Sequence, residues 1–132
     1  MNNKKILIIE DDADVRLGYQ VLLRANYYDT SFAADAVCAM SEALKQQPDL
    51  IILDLGLPAG DGFVVLERLR ANMNLALIPV IVVSGRDLPG NKERALRYGA
   101  RAFFQKPWND NELLEQIGKL VGQPQAIAAG AK

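Results

Sequence analysis

The stretch Ile6-Leu7-Ile8-Ile9-Glu10-Asp11-Asp12 carries four aliphatic side chains in a row and then three acids. A strand with one wet face alternates apolar and polar residues. An unbroken run instead fits a strand covered on both faces, as in a parallel sheet flanked by helices. The acids then fall at the carboxyl end of that strand. Working outward, residues 50–53 followed by Asp54, and residues 78–83 followed by Ser84, have the same form. Two weaker runs, 30–33 and 102–104, are expected as strands too, the former suited to a sheet edge.

The segments between these runs have helical spacing. Apolar stripes are expected from Val15, Tyr19 and Leu22; from Val37, Met40 and Leu44; from Phe63, Leu66, Leu69 and Met73; and from Leu113, Ile117 and Leu120. A further helix, residues 91–98, would turn Ala95 and Leu96 inward. Asp61-Gly62 is expected to open the third helix, Gly99 to end the fourth, and Asn109 or Asp110 to cap the fifth after Pro107. Strands alternating with helices of this length predict an α/β domain. Right-handed crossovers place helices on both faces of a parallel sheet, and a flavodoxin-like (βα)5 three-layer sandwich with central strand order 2-1-3-4-5 fits five such units. Residues 1–121 form that domain, and residues 122–132, small and polar, read as a tail or the start of a linker.

Composition narrows the chemistry. In 132 residues, 15 lysines and arginines meet 16 aspartates and glutamates, so a net charge of −1 gives no pull toward nucleic acid or an anionic membrane. There is no histidine and one cysteine, Cys38, which excludes an internal disulfide and the usual zinc sites. The apolar run before Glu10 is too short for a signal peptide or a membrane span, so a cytoplasmic protein is expected. Carboxylate chemistry remains.

In an open α/β sheet, ligands bind outside the carboxyl ends of the strands, near the reversal of strand order. Those ends supply Glu10-Asp11-Asp12, Asp54, Ser84 and Gln105-Lys106-Pro107. Acids on neighbouring central strands can converge on a hard cation, and Mg²⁺ suits a few carboxylates plus water. A carboxylate, a metal, a hydroxyl and a lysine are the parts that phosphoryl transfer to an aspartate requires. Asp54 would attack phosphorus while Mg²⁺, Lys106 and Ser84 hold the equatorial oxygens.

Taken in order, Ile6-Leu7-Ile8-Ile9-Glu10-Asp11-Asp12, Leu53-Asp54-Leu55-Gly56-Leu57-Pro58, Asp61-Gly62, Val83-Ser84-Gly85 and Gln105-Lys106-Pro107 resemble the motif set of response-regulator receiver domains, the CheY-like modules of two-component signalling. The resemblance spans residues 5–121. It implies Asp54 as phosphoacceptor and Asp11 as the direct metal carboxylate, with Asp12 a second choice of ligand. Glu10, in place of the more frequent aspartate, would act through metal-bound water, and the Gly56 carbonyl would complete the set. Ser84 and Lys106 would contact the phosphoryl group, with Phe103 as the aromatic switch position. Gly56 and Arg86 occupy the two positions that tune phosphoaspartate hydrolysis, and Gly60 stands where a methionine is common.

The donor implied by the resemblance is a histidine kinase or a phosphotransfer protein. The output is a protein target or a homodimer, reached through the face of the fourth helix, fifth strand and fifth helix. Such a module catalyses only its own phosphorylation and dephosphorylation. The chain either works alone through protein contacts or is part of a longer regulator.

Two other readings stand beside this one: an interaction domain independent of phosphorylation, and a phosphatase of the haloacid dehalogenase type, whose second aspartate is replaced here by Gly56. Residues 85–92 suggest a phosphate-cradling loop, but Lys92 comes one place late, Glu93 stands where Ser or Thr is needed, and Pro89 removes a donor. Among blander roles, Asp12 and Asp14 suit helix caps, and Cys38, Phe104 and Trp108 suit packing. Lys92, Arg94, Arg97 and Arg101 suit a solvated basic face.

Overall fold

Residues 3–57, 62–85 and 89–122 are described by a computed structural model of the chain. The strands are β1 (Lys5–Ile9), β2 (Asp29–Ala33), β3 (Leu50–Asp54), β4 (Val80–Ser84) and β5 (Ala102–Gln105). The helices are α1 (Ala13–Ala25), α2 (Ala36–Gln46), α3 (Gly62–Ala71), α4 (Asn91–Arg97) and α5 (Asp110–Val121). All strand pairs are parallel, as the aliphatic runs lead one to expect, and the sheet order is β2-β1-β3-β4-β5, the flavodoxin-like order. Every residue of β3 and β4 is buried, whereas β2 and β5, at the two edges, are largely half-buried.

Alternation along the strands divides the core in two. Leu7, Ile9, Ile51, Leu53 and Val82 point to the side packed with α2 and α3 residues. Ile6, Ile8, Leu50, Ile52, Ile81 and Val83 point to the side holding Tyr19 and Leu23 of α1 and Leu113 and Ile117 of α5. This period-two split of unbroken aliphatic runs is what two helical layers require.

Strand and helix limits differ from expectation where local chemistry intervenes. β4 starts at Val80, because Pro79 has no N–H to give the ladder, although its carbonyl accepts from Ile51 N at 3.0 Å. β2 begins one residue early at Asp29, paired with Lys5, and β5 runs one further to Gln105, paired with Ser84. Asp12, Asp35 and Asn109 cap α1, α2 and α5 through their side chains. Asp61, expected to open α3, lies outside the described residues, as do Pro58, Gly60 and Arg86 and all of the tail after Gly122.

The α2 stripe is a correction. Val37 is 79% exposed and Leu44 is exposed too, while Ala39 and Ala43 are fully buried with Met40 beside them. Small residues four apart let the helix lie close to the sheet, so of the expected stripe Met40 stays against the core while Val37 and Leu44 face outward. In α4 only Ala95 is buried and Leu96 is exposed; Met73 lies beyond the end of α3, 96% exposed. Cys38 is exposed as well, not a core filler.

Candidate functional site

The site is built by strand register. Ile9 pairs with Leu53 across β1 and β3, so the next residues, Glu10 and Asp54, emerge side by side. Asp54 pairs with Val83, which puts Ser84 one step further along β4. Ser84 in turn pairs with Gln105, and the Lys106 N–H donates to the Ser84 carbonyl at 2.8 Å. Four strand ends thus bring their polar residues to one edge of the sheet. Glu10, Asp54 and Ser84 are buried there, at 1%, 6% and 3% exposure, among residues otherwise apolar.

Glu10, Asp11 and Asp54 each offer a carboxylate oxygen, and these oxygens lie within 4.8 Å of one another. Lys106 Nζ sits 2.6 Å from Glu10 Oε1 and 3.5 Å from Asp54 Oδ2. One ammonium offsets only part of this negative charge. An all-oxygen donor set with excess charge fits a hard divalent cation of the magnesium kind. The residues present therefore suit Mg²⁺.

Burial pushes the Glu10 pKa up to about 7, with the Lys106 hydrogen bond opposing the rise and the Asp54 charge adding to it. Burial works against the charge of Lys106, but its hydrogen bond to Glu10 and the charges of Asp54 and Glu10 outweigh that, and its pKa is raised. Tyr19, nearly fully buried, is also raised, by burial first and then by the charges of Glu10 and Asp54.

Two glycines define the approach to Asp54. Gly56 N–H donates to Asp54 Oδ1 at 3.1 Å, and a Cβ at Gly56 would stand 3.6 Å from that oxygen, so a side chain there would face the carboxylate. At Gly62 a Cβ would lie 2.5 Å from the Leu55 Cα, so only glycine lets the first turn of α3 rest against the backbone that follows Asp54. Phe103 is half-buried on β5 and packs against the core on the α2 and α3 side. Asp12 is spent on the α1 cap, its Oδ1 accepting from Asp14 N at 2.8 Å and Val15 N at 3.2 Å.

Two features were not singled out in the sequence. Arg16 Nη1 donates to the carbonyls of Glu10 at 2.8 Å and Asp11 at 3.0 Å. Its position one turn into the helix after the acidic run was the available signal. Tyr19 stacks on Trp108 with ring centroids 4.5 Å apart, tying α1 to the segment just after Lys106; the packing role of Trp108 is legible in the sequence, its partner is not.

The family model described as "Response regulator receiver domain" matches residues 6–118. The transcriptional regulatory protein KdpE of Staphylococcus aureus is 38% identical over 113 residues, 86% of this chain and 48% of its own length. Curated relatives are in general longer, and the chain spans between 26% and 55% of them. Among solved structures, the signal receiver domain of a DNA-binding response regulator from Colwellia psychrerythraea superposes with a TM-score of 0.85 at 31% identity, covering 91% of this chain and 99% of that one. The receiver domain of the sensor histidine kinase PA1611 from Pseudomonas aeruginosa, described with a magnesium ion coordinated in its active-site cleft, gives 0.82 at 28% identity, covering 91% and 98%.

Proposed function

The chain belongs to the response-regulator receiver-domain family, and from that membership we propose that Asp54 accepts a phosphoryl group from a histidine kinase or phosphotransfer protein of two-component signalling. The observation that carries this reading is the convergence of Glu10, Asp11 and Asp54 beside the Lys106 ammonium. Asp54 is the nucleophile: its carboxylate forms the new O–P bond as the bond to the donor breaks. Lys106 holds an equatorial phosphoryl oxygen, giving up part of its contact with Glu10. The Ser84 hydroxyl takes another. Glu10, Asp11, Asp54 and the Gly56 carbonyl would hold Mg²⁺. When bound, the ion supplies charge that offsets the carboxylates and stabilises the phosphoryl oxygens in transfer. A magnesium site in the PA1611 receiver domain supports that assignment.

Hydrolysis of the phosphoaspartate is tuned at Gly56 and Arg86, where glycine leaves the approach to Asp54 open. Phe103 follows Ser84 inward and changes the face of α4, β5 and α5, which meets a protein target or a second copy. The exposed Leu96 and Tyr98 and the basic residues Lys92, Arg97 and Arg101 suit that role. The module is a switch rather than a turnover enzyme. Its place is the cytoplasm; among the described residues no helix is long and apolar enough to cross a membrane.

Incubation with Mg²⁺ and acetyl phosphate, followed by intact-mass measurement, tests the assignment. One added phosphoryl group is expected in the wild type and none in Asp54→Ala. A gain that persists in the variant would move the acceptor elsewhere.

A further inference from the structure

We propose that Arg16 is a positioning residue for metal binding, its guanidinium fixing the backbone carbonyls of Glu10 and Asp11 and so aiming their carboxylates at one point. The inference rests on the Mg²⁺ reading given above. In an extended chain, successive side chains point to opposite faces, so neighbouring acids diverge. Here Glu10 is buried and Asp11 exposed, yet both carboxylates reach within 4.8 Å of each other and of Asp54. The backbone must turn between them to allow it.

Both flanks of that turn are held by other bonds. Glu10 N–H donates to the Ala33 carbonyl at 3.0 Å, which keeps Glu10 tied to the edge of the sheet. Asp12 begins α1 as its cap, and Arg16 N–H donates to the Asp12 carbonyl at 2.9 Å. Between these anchors lie the carbonyls of Glu10 and Asp11, and a single nitrogen, Arg16 Nη1, binds both. Two consecutive carbonyls held by one donor cannot alternate in direction. They turn together toward Arg16 of α1, and the side chains of Glu10 and Asp11 are directed accordingly. The Arg16 guanidinium bonds these carbonyls, so it acts through the backbone of Glu10 and Asp11. Outer-shell partners of this kind change metal affinity by about 10- to 100-fold when removed.

The test is titration of the full chain with Mn²⁺, an oxygen-seeking stand-in for Mg²⁺, followed by electron paramagnetic resonance of the free ion. Thermal melting of each variant is recorded alongside. The wild type should bind one ion and Asp11→Ala should lose it. Arg16→Ala should raise the half-saturating Mn²⁺ concentration about 10- to 100-fold at a temperature where it is fully folded. Arg16→Lys, which keeps a charged donor on a long stem, should recover most of that loss. A merely structural arginine would lower the melting temperature and leave the half-saturation of the folded protein where it was. That result, with the wild type binding and Asp11→Ala not, would overturn the role of Arg16 and leave the metal site standing. Failure of the wild type to bind Mn²⁺ would overturn both. Should Arg16→Ala not fold, Arg16→Gln carries the same comparison.

Discussion

Glu10 carries a conflict between its surroundings and its charge. It is almost wholly buried next to another acid, and its pKa stands at about 7 against an ordinary 4.5. In the metal-free protein the folded state therefore holds this proton more tightly than the unfolded chain does. The contribution to stability is fully present below the ordinary value and is lost as pH rises through about 7. Metal binding needs the carboxylate, so Mg²⁺ affinity should rise across the same interval as the proton leaves. Titrations with Mg²⁺ on either side of neutrality check the sign, and Glu10→Gln should flatten the pH dependence of the metal-free melting temperature there. At this scale the sequence was legible wherever chemistry sits at a strand end: Glu10, Asp11, Asp54, Ser84 and Lys106 each stand within two residues of the end of an apolar run. Arg16 was not, because its hydrogen-bonding partners are backbone carbonyls, which every residue has and no motif marks.

The helices were legible in number and place, less so in orientation. For α2 the sequence offers two adjacent stripes, one bulky (Val37, Met40, Leu44), of which only Met40 meets the core, and one small (Ala39, Ala43), and hydrophobicity alone favours the bulky one. Close packing of α2 against the sheet selects the small one. Substitution should expose the difference in chemical denaturation. Val37→Ser is expected to change stability by no more than about 0.5 kcal/mol, as for an ordinary surface site. Ala39→Leu should cost about 1–3 kcal/mol through overpacking. A reversed order would restore the bulky stripe as the buried face. Helix α4 was the least legible, with one buried residue, Ala95, in seven. What holds it to α3 is instead Arg94, whose guanidinium carbon lies 3.9 Å from the Phe63 ring centre, and Arg70, which donates to the Gly99 carbonyl at 3.2 Å. Such cation–π and side chain to backbone contacts leave no hydrophobic period to read.

For the whole molecule, the α/β layering followed from few facts: aliphatic runs long enough for strands, helical segments between them, and the right-handedness of crossovers; the strand order itself came from the fold type those units fit. The site then follows from the topology, since order β2-β1-β3-β4-β5 makes β1 and β3 neighbours and brings residues 10 and 54 together across 44 positions of chain. Binding at that edge should stabilise the entire fold by mass action. At a Mg²⁺ concentration a hundred times the dissociation constant, the gain is about 2.7 kcal/mol. Thermal melts with and without a chelator should show a rise in midpoint with added Mg²⁺, and Asp54→Ala should reduce it.

Asp54 is mounted on β3, buried along its whole length, while Lys106 follows β5, whose residues are half-buried or exposed. A covalent event at the first cannot easily shift its own footing, which is clamped from above and below. Whatever rearrangement it provokes should instead travel outward to the soft margin of the sheet, so the reaction is anchored at the stiff centre and its signal leaves through the rim.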